Sequence, residues 1–290
     1  MTGFPRRIVC LTEETTEVLY LLGEQDRIVG VSGFTARPPE ARQKPKVSAF
    51  TTARFDRIVA LDPDLIIGFS DLQADIAREL IARGRNVLVS NQRSVEEILE
   101  MIAALARIVG AETRGQALVK QLSDELAEIR ESAQRFPWRP RVFFEEWPDP
   151  LISGIRWVDE LIEIAGGTPL FPELRCQQAA KNRIVDAAAV RERDPEIVIA
   201  SWCGKKVNKQ TIRARDGWSH LQHVYEIKST YILQPGPAAL TEGVRQLHAL
   251  IAAVVGCSVP PVLSPAEKTD PDLPRAATRG RAPNVVRHPE

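Results

Sequence analysis

Two stretches about 130 residues apart follow the same local plan. Asp56 to Ile67 reads as a short helix, then Asp62-Pro63-Asp64, then the apolar run Leu65-Ile66-Ile67. Ala188 to Ile199 repeats it, with Asp194-Pro195-Glu196 leading into Ile197-Val198-Ile199. An Asp-Pro step stops a helix, because proline bars the helical conformation from the residue before it. A β-branched run directly after such a stop reads as a buried strand. The period is too long for a solenoid, so the repeat points to two similar α/β units within one chain.

The rest of the chain fits that plan. In the first third, the apolar runs Ile8–Leu11, Ile28–Val31, Leu65–Ile67 and Val87–Val89 alternate with helical patches at Thr15–Leu22, Phe55–Leu61 and Asp75–Ala82. Later, strands are expected at Val142–Phe144, Ile197–Ala200 and Tyr231–Leu233, and helices at Val158–Ala165, Ile184–Arg191, Gly217–Val224 and Thr241–Val255. Such alternation implies mostly parallel sheets covered on both faces. Between the two units, Ser94 and Glu97 have capping-box spacing, starting a helix to about Val109. Glu112 to about Arg135 then carries Leu118, Leu122, Leu126 and Ile129 along one stripe. A helix of that length spans roughly 36 Å, enough to join two lobes. The expected fold class is therefore α/β, with two Rossmann-like α/β lobes joined by a single long α-helix. The boundaries are 1–93 for the first lobe, 94–137 for the helical linker, 138–258 for the second lobe and 259–290 for a tail. That tail holds seven prolines and no aromatic residue, a composition expected to stay disordered.

Composition narrows the function. Lys plus Arg and Asp plus Glu are both 38, so the chain lacks the concentrated positive field a nucleic-acid binder needs. No window holds 18 consecutive apolar residues, so no membrane-spanning helix and no membrane insertion are expected. Met1 to Arg7 leave no room for a charged start and an apolar stretch before Ile8. The sequence as it stands is expected to be cytoplasmic, and periplasmic if the true start lies upstream. Cys10, Cys176, Cys203 and Cys257 are scattered, which argues against a disulfide framework or a zinc knot. There is no nucleophile elbow, P-loop or dinucleotide fingerprint, so no enzymatic role is expected.

Several segments together carry a family likeness: Arg7–Gly23, Val29–Phe34, Pro38-Pro39, Phe55–Ile67, Ser153-Gly154 and Gly166-Gly167. The chain resembles the BtuF-type cobalamin-binding substrate-binding proteins of ABC transporters, of the class III periplasmic-binding-protein fold, over about Arg7 to Gly256. The resemblance implies two lobes on a rigid helix with a ligand cleft between them, little hinge motion, no intrinsic cofactor, and cobalamin or a similar corrinoid or metal chelate bound reversibly in that cleft. It places cleft aromatics at Phe34 and Phe50. It also implies an acidic residue on each lobe that docks on the membrane permease. The matching positions are Asp56 and Ala188, so the docking pair is incomplete.

The residues add candidates of their own. Trp202 and Cys203 follow the strand Ile197–Ala200, and strand ends are where open α/β sheets bind ligands. Glu145, Glu146 and Trp147 follow Val142–Phe144, and Arg156 follows Ser153-Gly154. The ligand-binding set is thus Phe34, Phe50, Glu146, Trp147, Arg156, Trp202 and Cys203. An alternative from a different class is a thiol-reactive or metal-dependent cytoplasmic protein. In that reading, Lys205 and Lys206 lower the Cys203 thiol pKa, and His220 and His223, sharing one helix face, assist in metal binding.

Overall fold

The computed structural model describes residues 3–259. The expected lobe-and-helix α/β architecture is present. In the first lobe, β1 (Ile8–Cys10), β2 (Ile28–Ser32), β3 (Lys46–Ala49), β4 (Thr52–Ala53), β5 (Leu65–Phe69) and β6 (Val87–Ser90) form one sheet. Its order is β4-β3-β2-β1-β5-β6, all parallel except β4. Helices α1 (Glu13–Leu21), α2 (Phe55–Ala60) and α3 (Ala74–Ala82) cover it. In the second lobe, β7 (Arg141–Pro148) pairs in parallel with β10 (Ile197–Ala200), which pairs with β11 (His223–Glu226). The other edge of β7 takes the antiparallel β8 (Leu151–Ser153) and the short β9 (Thr168–Pro169).

The two lobes meet through α4 (Val95–Ile108) and α5 (Glu112–Ala133). Ser94 and Glu97 form the expected reciprocal capping box, each bond 3.1 Å long. The 22 residues of α5 reach about 33 Å. Its stripe, Leu118, Leu122, Leu126 and Ile129, is buried in a hydrophobic core that runs from the β1 sheet to α6 (Arg156–Ala165) and α10 (Val244–Val254). Gly115 lets α5 approach α4 closely, since a Cβ there would lie 2.2 Å from the Ala106 Cβ.

The internal repeat is structural. Asp62 and Asp194 both take positive φ, +45° and +49°, turning the chain out of α2 and α7 (Ala187–Glu192). The acid after each proline then fastens the neighbouring central strand. Asp64 accepts the Arg7 N–H at 2.9 Å, and Glu196 accepts the Arg141 N–H at 2.6 Å.

The C-terminal part departs from expectation. Tyr231–Leu233 is no strand: Ser229–Ile232 is the short helix α9, and the strand is His223–Glu226. Tyr231 and Ile232 look like strand residues but turn helically into the core, where the Trp157 indole donates to the Ile232 carbonyl at 2.9 Å. The helix expected at Gly217–Val224 is replaced by α8 (Lys209–Arg213), whose first turn Asn208 caps. Trp218 is buried and donates to the Ala187 carbonyl, bracing α7. The last helix starts early, through a π-helical turn at Ala239–Gly243. All but Val259 of the expected tail lies outside the described residues.

Candidate functional site

Strand order places the site. In the first sheet the chain builds outward from β1 through β2, β3 and β4, then returns to β5 on the other side of β1. In the second sheet β7 has β10 on one side and β8 and β9 on the other. Crevices at the carboxyl ends of strands open where strand order reverses. The first lobe therefore offers Thr12–Glu14 after β1 and Ser70-Asp71 after β5. The second offers Glu145–Trp147 on β7 and Ser201–Cys203 after β10.

The two edges face each other. The Cys203 thiol feels the charges of Glu13, in the opposite lobe, and Glu146 in its own. Arg93, after β6, feels Arg183 and Glu146 of the second lobe. Adjacent strands carry two expected aromatics to the first-lobe edge. Ser32 on β2 is in register with Ser48 on β3, and Phe34 and Phe50 each stand two residues further on. Phe34 is half exposed, at 49%. Phe50 is partly buried, with its ring 6.5 Å from that of Phe69.

The second-lobe edge is held by two buried ion pairs. Glu145 is fully buried and accepts from Arg215 at 2.5 and 2.9 Å and from the Trp202 indole at 3.1 Å. Trp202 is thus spent largely on the second lobe's own core, where it is 7% exposed. Glu146 accepts from the buried Arg183 at 2.6 and 3.2 Å. Trp147 lies under the Lys205 ammonium, 4.4 Å from the ring centre. Arg156 does not join this group. It pairs with Glu160 at 2.8 Å and lines a separate groove of about 730 Å³ between α4, α5 and α6.

Cys203 is exposed, yet its thiol pKa moves opposite to the expectation for the thiol reading. Desolvation raises it, nearby Glu13 and Glu146 add to the rise, and a hydrogen bond with Ser229 offsets part of it. The Lys205 ammonium, expected to act on the thiol, stacks on the Trp147 ring. The histidine pair also fails: His223 lies on β11 against the Tyr225 hydroxyl at 3.2 Å, and His220 lies in the turn before it. Among the described residues no group of three His, Cys, Asp or Glu is placed to hold a metal ion.

Asp56 is almost fully exposed at the start of α2 and pairs with Arg83 at 2.7 Å. On the second lobe Ala188 occupies the matching turn of α7, and the carboxylate of Asp186 is taken up capping that helix at 2.9 Å. Asp216, from a neighbouring loop, presents an exposed carboxylate to Arg191 of α7 at 2.8 Å.

One group of functional character escaped the sequence reading. Glu13, Glu14 and Glu17 are 6%, 1% and 8% exposed. Burial pushes the Glu13 carboxyl up to about 8 and that of Glu14 up to about 7, and it raises Glu17 as well. Glu14 and Glu17 are covered from the other lobe. The Ala238 N–H donates to Glu17 at 3.1 Å, and Gly236 lies so close to Glu14 that a Cβ would be 2.5 Å from the Glu14 Cβ. Arg37 bridges the seam, bonding Glu17 at 3.0 Å and Glu242 at 2.8 Å with its guanidinium over the Tyr231 ring. Beside it a hollow of about 450 Å³ opens between Tyr20, Arg37, Pro38 and Tyr231. The signal available in sequence was the T-E-E-T-T-E string, which reads equally well as an ordinary acidic helix start.

Comparison with known proteins agrees with this architecture. A family profile described as periplasmic binding protein matches residues 8–231. An uncharacterised ABC transporter substrate-binding lipoprotein, YvrC, of Bacillus subtilis is 27% identical, covering 84% of this chain and 79% of the relative. A vitamin B12-binding protein of Vibrio parahaemolyticus is 26% identical, covering 81% of this chain and 85% of the relative. Two solved structures share the fold. The vitamin B12-binding protein BtuF of Vibrio cholerae has a TM-score of 0.69 at 22% identity, covering 86% of this chain and 98% of its own. A periplasmic haem-binding protein of Pseudomonas aeruginosa has a TM-score of 0.75 at 20% identity, covering 92% and 98%. The fold, the matched profile and these relatives together place the chain in the periplasmic binding protein family, among the substrate-binding proteins of ABC transporters.

Proposed function

We propose that this protein binds cobalamin, or a similarly large and flat metal macrocycle, reversibly in the cleft between its lobes. The observation that carries this reading is the pair Phe34 and Phe50, set by adjacent strands on one edge of the cleft opposite the Glu146–Cys203 edge. Flat aromatic side chains give a flat ligand large apolar contact at small entropic cost. The relatives named for vitamin B12 and the neighbours named for haem support the same ligand class. The continuous core through α4, α5, α6 and α10, with the Arg37 bridge, supports small lobe movements rather than wide opening.

Titration with cyanocobalamin, aquocobalamin and haemin, followed by visible spectra and calorimetry, tests the reading. Binding of at least one is expected, with Phe34→Ala and Phe50→Ala each weakening it about tenfold or more. No binding of any of the three at high micromolar concentration would refute it. The thiol-reactive alternative is disfavoured by the raised Cys203 pKa. A spectral shift with aquocobalamin that disappears in Cys203→Ala would instead make Cys203 a cobalt ligand. For delivery to a permease, Asp56 and Asp216 are the two exposed carboxylates we assign to docking. Asp56→Lys with Asp216→Lys should abolish stimulation of a reconstituted cognate transporter while leaving ligand affinity unchanged. Unimpaired stimulation would refute this assignment.

A further inference from the structure

The two cleft aromatics are anchored differently. Phe50 is held by the first lobe alone: the Gln73 side chain donates to its carbonyl at 2.8 Å, and its ring packs against Phe69. Phe34 stands on the loop that leaves β2 and is half exposed, so its own packing constrains it less. Its place follows from the backbone around it. The Ser32 hydroxyl accepts the Phe34 N–H at 3.2 Å, and the Glu13 carboxyl accepts the Ala36 N–H at 3.3 Å. Arg37, next in the chain, reaches the second lobe. Its Nε donates to Glu17 of α1 at 3.0 Å and its Nη2 to Glu242 of the second lobe at 2.8 Å. The guanidinium lies over the ring of Tyr231, also of the second lobe. Burial alone would raise the Glu242 carboxyl, but the Thr241 hydroxyl and Arg37 bring it below the ordinary range, so the cross-lobe bond joins full charges.

A guanidinium is a rigid planar fork, and holding two acids with it fixes the backbone that carries it. Arg37 follows Phe34 by three positions, with Ala36 pinned between them, so a shift at Arg37 passes to Phe34 along a short hydrogen-bonded stretch. A binding side chain keeps its place only as well as such supporting contacts hold it. We infer that Arg37 is a positioning residue for the ligand cleft: by tying the Phe34 loop to Glu242, it makes the place of Phe34, but not that of Phe50, depend on how the second lobe sits. This rests on the macrocycle reading of the cleft and deepens it, because the first-lobe edge of the site is completed by the second lobe. With the lobes apart, the bridge to Glu242 is lost and Phe34 is released, whereas Phe50 stays in place.

Double-mutant cycles in ligand affinity test this. Calorimetry on the full chain uses whichever of cyanocobalamin, aquocobalamin and haemin the wild type binds most tightly, and far-ultraviolet dichroism confirms the fold of each variant. Arg37→Met, which keeps an apolar stem beside Tyr231, should weaken binding about fivefold or more. Phe34→Ala should erase that effect: the variant carrying both substitutions should bind within about twofold of Phe34→Ala alone. In Phe50→Ala the two losses should instead multiply. A merely structural role for Arg37 would weaken binding by the same factor in both backgrounds. Should Arg37→Met fail to fold, Glu242→Ala, which cuts only the cross-lobe bond, must show the same pattern. Unchanged affinity in the folded variant, or an equal loss in both aromatic backgrounds, overturns the inference and leaves the macrocycle reading in place. Failure of the wild type to bind any of the three ligands overturns that reading, and the inference with it.

Discussion

Raising the pH from 6.5 to 7.5 should destabilise the ligand-free protein. Burial holds Glu13 and Asp159 up at about 8 and Glu14 at about 7. In the unfolded chain all three return to ordinary carboxyl values near 4. Over this interval the unfolded chain has lost those protons, whereas the folded chain keeps most of those on Glu13 and Asp159 and about half of that on Glu14. The folded state therefore binds about two protons more than the unfolded state, and stability falls as pH rises. At about 1.4 kcal/mol per proton and pH unit, the loss is about 2–3 kcal/mol. That is a large part of the roughly 5–15 kcal/mol that holds a typical domain together. The raised Glu17 acts in the same direction. His248 acts in the opposite direction, because burial lowers its pKa. It costs stability only as pH falls through about 6.5, where the unfolded imidazole takes its proton, and so pushes the optimum toward mildly acidic pH rather than lower. Urea denaturation followed by tryptophan fluorescence, at constant ionic strength, reads the effect directly. Asp159→Asn and Glu13→Gln should each remove about 1 kcal/mol of the change. Stability that is equal or greater at pH 7.5, or a slope that both substitutions leave intact, would refute the reasoning.

Arg215→Met should destabilise the second lobe by about 3–5 kcal/mol, measured by urea midpoint, because it strands the fully buried Glu145 carboxylate without its cation. Adding Glu145→Met should recover much of that loss. Gly115→Ala should cost about 1–3 kcal/mol by forcing α4 and α5 apart, and Ala106→Gly in the same chain should restore it. An additive double mutant would contradict the close approach. Cys203 should react with iodoacetamide at pH 7.5 more slowly than a free cysteine. Equal or faster alkylation would revive the thiol reading.

Much of the fold was written locally and could be read from sequence. The Asp-Pro-acid steps at Asp62 and Asp194 stop a helix, turn the chain and clamp a neighbouring strand within a few residues. The Ser94–Glu97 box and the leucine stripe of α5 are likewise local. Where the reading failed, the deciding partner was distant. The run Tyr231–Leu233 has strand composition. Its backbone is helical because Tyr231 reaches Arg37 in the other lobe and Ile232 receives the indole of Trp157. Trp202 and Cys203 were rightly placed at a strand end. That Trp202 would turn inward to Glu145 depends on Arg215, contributed by a separate segment.

The acids of α1 carry that argument furthest. In the string Thr12–Glu17, three glutamates at a helix start are what solvent and the helix dipole would favour on any surface. Nothing within the string distinguishes a solvated cap from a buried one. The difference is made by Pro235–Ala238, more than 200 residues away, which lays Gly236 on Glu14 and the Ala238 N–H on Glu17 and ties the seam through the Gln92 side chain to the Pro235 carbonyl at 3.1 Å. Glycine at 236 is what permits the contact, because any side chain there would strike the Glu14 Cβ. Thus Gly236→Ala should lift the segment from α1, let water reach Glu14 and lower the raised carboxyl values, flattening the pH dependence of stability between 6.5 and 7.5. A slope unchanged in that variant would mean that the carboxyls owe their burial to the first lobe alone.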